Sequence, residues 1–80
     1  MSAVETAETT EKILRGIAQA WNRSHPIGTE VTFWPGVLEG EGISSKTRSE
    51  AWLMPSGQVV ALIEGYAGSI AISHILPKGA

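Results

Sequence analysis

The sequence predicts a small closed β-barrel preceded by one amphipathic α-helix, and three observations support this fold class. Apolar residues recur at helical spacing over residues 9–24. From residue 28 onward the apolar spacing is two, as in β-strands, and turns rich in glycine and proline separate the apolar runs. In a chain of 80 residues an open sheet would leave two bare edges and a small core, which favours a barrel.

The predicted helix occupies residues 9–24, with Thr9 or Thr10 as its N-cap, and follows a flexible N-terminus at residues 1–8. Its apolar stripe consists of Ile13, Leu14, Ile17, Ala18 and Trp21. Acidic residues lie toward its start and basic residues toward its end, which complements the helix dipole. Pro26 ends the helix, because proline disfavours helical geometry in the residue before it. We expect Trp21 to pack the helix on the barrel, and a helix that packs on a partner is the alternative.

The barrel is predicted to span residues 27–77 of a single domain. The predicted strands are residues 29–34, 43–48, 50–54, 58–63 and 69–76. The second and third of these are equally consistent with one long bent strand. Val31 and Phe33 point toward the core, so Trp34 in the same strand faces outward. Residues 35–42 contain one proline and three glycines and are expected to form a long exposed loop.

The order of the loops resembles that of SH3-like barrels. A long loop follows the first strand, the tight turn Pro55-Ser56-Gly57 joins two central strands, and a glycine-rich turn precedes the last strand. The segments that carry this resemblance, within residues 27–76, are IGTEV, GEGIS, PSGQVVALIEG and GSIAI. The resemblance implies a mainly β fold with an SH3-like barrel of about five strands.

The segment GYAGSIAISHIL is also similar to the closing segment of type II, plasmid-borne dihydrofolate reductases, which carries a Gly-Ser-Val-Gln-Ile-Tyr motif. The motif is matched at Gly68, Ser69 and Ile72, with a conservative change at Ile70. Ala71 stands in place of the family's glutamine, and Ser73 in place of its tyrosine. The resemblance implies a tetramer that binds NADPH and dihydrofolate in a central pore lined by Ile70, Ile72 and Ser73.

A longer segment, WNRSHPIGTEVTFWPGVLEGEGISSKTRSEAW, resembles short uncharacterised proteins of actinobacteria and their phages. This resemblance implies an accessory protein and no particular reaction.

Composition narrows the classes of function. The formal net charge of −2 disfavours a dedicated nucleic-acid-binding protein, because phosphate recognition depends on lysine and arginine. The absence of cysteine excludes disulfides and cysteine-ligated zinc, and two histidines are too few to predict a metal site. The sequence shows neither a secretory signal nor a membrane-spanning apolar run, so we expect a cytoplasmic protein that does not bind membranes.

The predicted contact residues for a ligand or partner are the aromatic residues Trp34, Trp52 and Tyr66, because rigid rings give a large contact area at a low entropic cost. Lys46 and Arg48 are expected to form a polar rim around them, with solvated strand charges as the alternative.

No residue pattern predicts a catalytic or metal site. Glu39 and Glu41 have no acid, base or metal partner at a suitable spacing, and His74 is not part of a catalytic triad. The sequence therefore favours a non-enzymatic interaction or self-assembly module without a cofactor. The alternative is a reductase-like, NADPH-dependent tetramer.

Overall fold

The computed structural model describes residues 3–78 and the side chains of residues 9–78. It contains one α-helix, six short β-strands and a 3-10 turn. In chain order these are α1 (Ala3–Ser24), β1 (Glu30–Phe33), β2 (Ile43–Lys46), β3 (Trp52–Leu53), β4 (Val59–Leu62), β5 (Ser69–Ala71), the 3-10 turn (Ile72–His74) and β6 (Ile75–Pro77). No helix in the described part of the chain is both long enough and apolar enough to cross a bilayer.

The strands form two antiparallel sheets of three strands each, with the orders β2-β1-β6 and β3-β4-β5. An isolated bridge between Thr47 and Ile63 joins the two sheets directly after β2 and β4. On the opposite side, β5 continues into β6 through the 3-10 turn. Within residues 3–78 no strand pairing joins β6 to the second sheet. The prediction of a mainly β fold with one helix is therefore confirmed. The strands form two small sheets, and the predicted closed barrel of five strands is not confirmed.

The core lies between the two sheets and one face of α1. Val31 and Phe33 of β1 are buried, and the side chain between them is only half-buried, so the predicted alternation is confirmed. In β4, the residues Val59, Val60 and Ala61 are all buried, as expected for an apolar run with both faces covered. The apolar core cluster comprises Ala18, Val31, Phe33, Ala51, Val59, Ala61, Ile63, Ile70 and Ile75.

The turn at Pro55-Ser56-Gly57 joins β3 to β4 as predicted. The amide of Met54 donates to the carbonyl of Gln58 at 2.8 Å, and the amide of Gly57 donates to the carbonyl of Met54 at 2.9 Å. Gly57 has a φ of 94°, which glycine adopts without a steric penalty. The glycine at this position therefore fixes the register of the hairpin.

All five predicted strands are shorter than expected or interrupted. The strand expected over residues 43–48 ends at Lys46, and the strand expected over 50–54 contains only Trp52 and Leu53. The single last strand expected over 69–76 is wrong, because the 3-10 turn divides it into β5 and β6. These two strands belong to different sheets, so the backbone must change direction between them. The spacing of the apolar residues does not reveal this change, since it continues through the turn.

The helix is longer than predicted. It begins at Ala3 instead of residue 9, so residues 3–8 are helical rather than part of a flexible N-terminus, and Thr9 and Thr10 lie inside the helix rather than at its N-cap. Alanine and glutamate are good helix formers, and acidic residues near a helix start are stabilised by the dipole. Residues 1 and 2 of the predicted flexible segment lie outside the described residues.

The helix packs on the sheets of its own chain. Ala18 is buried and Trp21 packs against the core. The side chain of Asn22 donates to the carbonyl of Ala51 at 3.0 Å and accepts from the amide of Ala51 at 2.7 Å. The ring of His25 lies 4.5 Å from the ring of Trp21. Apolar packing and this reciprocal hydrogen-bonded pair together fix the orientation of α1 on the second sheet.

The molecule is elongated. Its extents are 44 × 26 × 22 Å and its radius of gyration is 13.6 Å, whereas a compact domain of this length has about 11.6 Å. A helix of 22 residues is about 33 Å long. Among its described side chains, those that pack on the core are Leu14, Ala18 and Trp21, in its second half. The first half of α1 therefore extends along and beyond the body of the sheets.

We expect Trp21→Ala to lower the free energy of unfolding by about 3 kcal/mol, because it removes the large side chain that packs α1 on the core. Urea denaturation followed by circular dichroism measures this change. Gln19→Ala, at an exposed position of the same helix, is the control and should change the stability by less than about 0.5 kcal/mol. A similarly small effect of Trp21→Ala would contradict the described packing.

Candidate functional site

Trp34, the first predicted contact residue, braces the loop that follows β1. Its indole N–H donates to the carbonyl of Gly40 at 3.2 Å, and its backbone N–H donates to the carbonyl of His74 at 3.0 Å. Nδ1 of His74 in turn donates a hydrogen bond to the carbonyl of Trp34 at 3.1 Å. Because a carbonyl only accepts, Nδ1 of His74 carries the hydrogen. Trp34 is half-buried outside the core cluster, as its predicted outward orientation requires, and it ties the loop to the 3-10 turn.

Gly42 leaves the space that the ring of Trp34 occupies. A Cβ atom at position 42 would lie 2.7 Å from the Trp34 ring and 2.7 Å from the Thr32 side chain. The glycine also has a φ of 73°, in the left-handed region. The combination of tryptophan and glycine in VTFWPGVLEGEG is therefore a packing unit in which the ring occupies the space above a residue without a side chain.

The three predicted aromatic contacts do not form one surface. Tyr66 packs edge-on against Phe33, with ring centroids 5.8 Å apart, and so belongs to the border of the core. Trp52 is 40% exposed and pairs with Val60 in the second sheet. No ring contact joins any two of Trp34, Trp52 and Tyr66 within the described side chains. Trp52 is thus the one most available to a partner.

The two predicted rim cations have different environments. Arg48 donates from Nε to the carbonyl of Ile63 at 3.0 Å and from its terminal nitrogen to the carbonyl of Tyr66 at 3.2 Å. Arg48 therefore stabilises the turn after β4 by bonding both of its ends. Lys46 is exposed at the end of β2, where it pairs in register with Glu30. Both cations are exposed, but Arg48 is engaged by two carbonyls of its own chain.

An apolar groove lies between α1 and the second sheet. Its volume is about 410 Å³, and it is lined by Leu14, Ile17, Gln58, Val59, Ala71, Ile72 and Ser73. None of these side chains is charged, so the groove presents mainly aliphatic surface. Within residues 9–78, no group of three or more histidine, aspartate or glutamate side chains is close enough to hold a metal ion.

Two of the three residues expected around a reductase-like pore line this groove. These are Ile72 and Ser73, which flank it together with Ala71. Ile70 is only 4% exposed and lies in the core, so it cannot line an open pore in this chain. The position that the resemblance assigns to an amide side chain is occupied by Ala71, which offers the groove no hydrogen bond.

The groove continues onto an uncovered side of α1. Ile13 is 60% exposed and Ile17 is 45% exposed, while Leu14 and Ala18 on the adjoining side face the core. At about 100° per residue, Ile13 lies roughly 100° and Ile17 roughly 60° around the helix from Leu14. We call the surface formed by Ile13, Gly16, Ile17 and Ala20 the uncovered face of α1.

The groove and the uncovered face were not predicted from the sequence, although the sequence contains one signal for them. The apolar residues from Ala18 to Ile13 cover about 140° of the helix surface, whereas packing on one layer requires about 100°. The excess width indicates a second contact. The opposite wall of the groove was not foreseeable, because Ile72 approaches α1 only through the tertiary fold.

Comparison with protein-family models, with curated proteins and with solved structures gives no match to this chain. The resemblances to SH3-like barrels, to type II reductases and to actinobacterial and phage proteins therefore stay predictions.

We expect Gly42→Ala to destabilise the fold more than Gly40→Ala does. Both glycines have positive φ, but a Cβ at Gly40 meets nothing within 4 Å, whereas at Gly42 it meets the Trp34 ring. Gly40→Ala should cost about 1 kcal/mol for backbone strain. Gly42→Ala should cost about 1–3 kcal/mol more, because the ring must move.

Chemical denaturation of both variants measures this difference, with tryptophan fluorescence as a second signal. Equal destabilisation would mean that the ring of Trp34 does not occupy the space above Gly42.

Proposed function

We propose that this chain is a non-enzymatic protein-interaction module on an SH3-like barrel, and that it binds an amphipathic helix in the groove beside α1. The observation that carries the proposal is the uncharged groove of about 410 Å³ that continues onto exposed Ile13 and Ile17. A continuous exposed apolar surface of this kind marks a contact site in proteins. Support for the barrel comes from the connections, which include a long loop after β1 and a tight hairpin between β3 and β4.

The shape of the groove favours a helix as the ligand. One wall is itself a helix, on which Leu14 and Ile17 lie about one turn apart. A second helix laid alongside can place aliphatic residues spaced by three and four positions between these side chains and Ile72. An extended peptide would instead bring unpaired backbone amides against apolar walls, which is unfavourable.

The charges of α1 select the direction of the ligand. Its acidic residues precede its basic residues along the chain, with Glu11 followed by Lys12, Arg15 and Arg23. A ligand helix with the same order of charges is attracted when it runs antiparallel, because each acidic half then lies beside a basic half. The helix dipoles also oppose one another in this arrangement.

The residues predicted from the sequence have secondary roles in this proposal. Trp52 and Lys46 are exposed and are available for additional contacts on the second sheet and at the end of β2, respectively. The other three predicted residues stabilise the fold instead of contacting a ligand, because each is hydrogen-bonded or packed within the chain. They are Trp34, Tyr66 and Arg48.

The direct test is the binding of a fluorescein-labelled synthetic peptide. The probe is a designed amphipathic helix with leucine at helical spacing, glutamate in its first half and lysine in its second half. We expect binding, measured by fluorescence anisotropy, that saturates as the protein concentration is raised. Ile17→Glu should weaken it by about ten-fold or more, because the variant places a charge in an apolar contact.

The matched control is Gln19→Glu, which introduces the same side chain at an exposed position on the far side of α1. It should bind the peptide like the unmodified chain. No saturable binding, or equal weakening by both variants, would contradict a helix-binding groove.

The reductase-like alternative has one favourable observation, since Ala71, Ile72 and Ser73 line the groove. Titration with NADPH, followed by tryptophan fluorescence, separates the two functions. We expect no saturable change at sub-millimolar NADPH, because alanine and serine do not supply the amide and phenol groups of the family's motif. A saturable change, lost in Ile72→Glu, would favour the reductase.

A further inference from the structure

The uncovered face of α1 is apolar or small throughout the part whose side chains are described. It contains Ile13, Gly16, Ile17 and Ala20, all of them exposed. Glu11 and Arg15 lie on the other side of the helix, where Arg15 donates to Glu11 at 3.1 Å in an exposed ion pair. Arg23, seven residues after Gly16, borders the face. A helix face that carries two exposed isoleucines and has charged residues at its edge resembles a helix–helix interface.

The backbone of this face is accessible to a second helix. Nothing lies within 4 Å of a Cβ placed on Gly16, and Ala20 is one turn further along. Small residues allow two helices to approach closely, at or below the usual separation of about 8–10 Å. Ile13 and Ile17 then supply the apolar contacts on either side of the closest approach.

The chain itself carries a helix that fits the proposed groove. In α1 the acidic residues lie in the first half and the basic residues mostly in the second, which is the charge order required of an antiparallel ligand. The uncovered isoleucines lie near the middle of Ala3–Ser24. When two copies of α1 cross there in the antiparallel sense, Ile13 of each copy faces Ile17 of the other, so a two-fold axis relates identical surfaces.

The surface area of the chain matches this arrangement. A compact monomer of 8.5 kDa exposes about 4,650 Å², whereas this chain exposes 5342 Å². The excess of about 700 Å² is close to the roughly 800 Å² that each partner buries in a standard interface. Covering an area of this size would give the chain the ratio of exposed surface to mass of a compact domain.

We infer that the helix bound by this groove is α1 of a second copy, so that the chain forms an antiparallel two-fold dimer through the uncovered face. This inference rests on the proposed function and names its partner. Each α1 fills the groove of the other copy, which covers Ile17 and Ile72 on both sides.

Sedimentation equilibrium of the full chain tests the dimer. The mass should rise with concentration to twice that of the 8.5 kDa chain, and Ile17→Glu should lower the association constant by about ten-fold or more. Ile13→Glu, at the more exposed position, should do the same, while Gln19→Glu should associate normally. Near-ultraviolet circular dichroism of the tryptophans confirms that each variant is folded.

A spin label on Ser24→Cys tests the direction of pairing, because the chain has no other cysteine. Electron resonance should give a distance of roughly 28 Å between labelled positions in an antiparallel pair crossing near residue 15, from a rise of 1.5 Å per residue and an interhelical separation of about 9 Å. A parallel pair would give about 9 Å. The short distance, or a dimer insensitive to both glutamate variants, would overturn the inference.

The two proposals fail in different ways. A chain that stays monomeric at all concentrations, yet binds the labelled peptide in a manner that depends on Ile17, overturns self-pairing and leaves the helix-binding groove intact. A chain that neither associates nor binds the peptide overturns both.

Discussion

The fold depends on one buried hydroxyl-bearing residue at the junction of its parts. Thr47 is 1% exposed, directly follows β2 and bridges to Ile63 after β4, so it lies where the two sheets meet. Its amide donates to the carbonyl of Thr29, and its hydroxyl oxygen and carbonyl oxygen both accept from the amide of Gly28. Its hydroxyl also lies 3.5 Å from the carbonyl of Pro26, to which it donates. A polar group so deeply buried is tolerated because its hydroxyl both donates and accepts a hydrogen bond.

The position of the helix follows from this junction. The linker between α1 and β1 is held by Thr47, and Asn22 near the end of the helix bonds the backbone of Ala51 just before β3. These two attachments, one at Asn22 in the last turn of the helix and one at residues 26–29 directly after it, leave α1 little freedom to rotate about its axis. The direction in which Ile13 and Ile17 point is therefore set by polar bonds, and apolar packing of Trp21 adds to it.

Much of the architecture was predictable from local patterns. The burial of Val31 and Phe33 follows from alternation in a strand, and the hairpin at Gly57 follows from turn chemistry. The division of the last predicted strand was not predictable, because Ile70, Ile72 and Leu76 keep the phase of one strand and His74 in the same phase does not mark a break. A local pattern shows which side chains are apolar. The interruption between β5 and β6 depends instead on the sheet that each of these two strands joins.

The candidate site was harder to predict than the fold. Aromatic residues were expected to mark it, but Trp34 and Tyr66 are engaged by the chain itself, through Gly40 and Phe33. An exposed ring and a ring that braces a loop have the same sequence signature. The groove consists of aliphatic residues from α1 and the 3-10 turn that are far apart in sequence, and only the tertiary structure brings them together.

The bond between Asn22 and Ala51 has a consequence for divergence among proteins of this kind. The side chain of Asn22 bonds the main-chain amide and carbonyl of residue 51 and does not contact the side chain of that residue through a hydrogen bond. Many small residues at position 51 would therefore preserve the attachment. The hydroxyl of Thr47 likewise bonds only main-chain groups. The residues whose main-chain groups are bonded can therefore be substituted widely without loss of the architecture. Only the two polar side chains, Asn22 and Thr47, must be retained. Distant homologues would then share little identity beyond an asparagine near the end of the helix and a β-branched hydroxyl residue about 25 positions later.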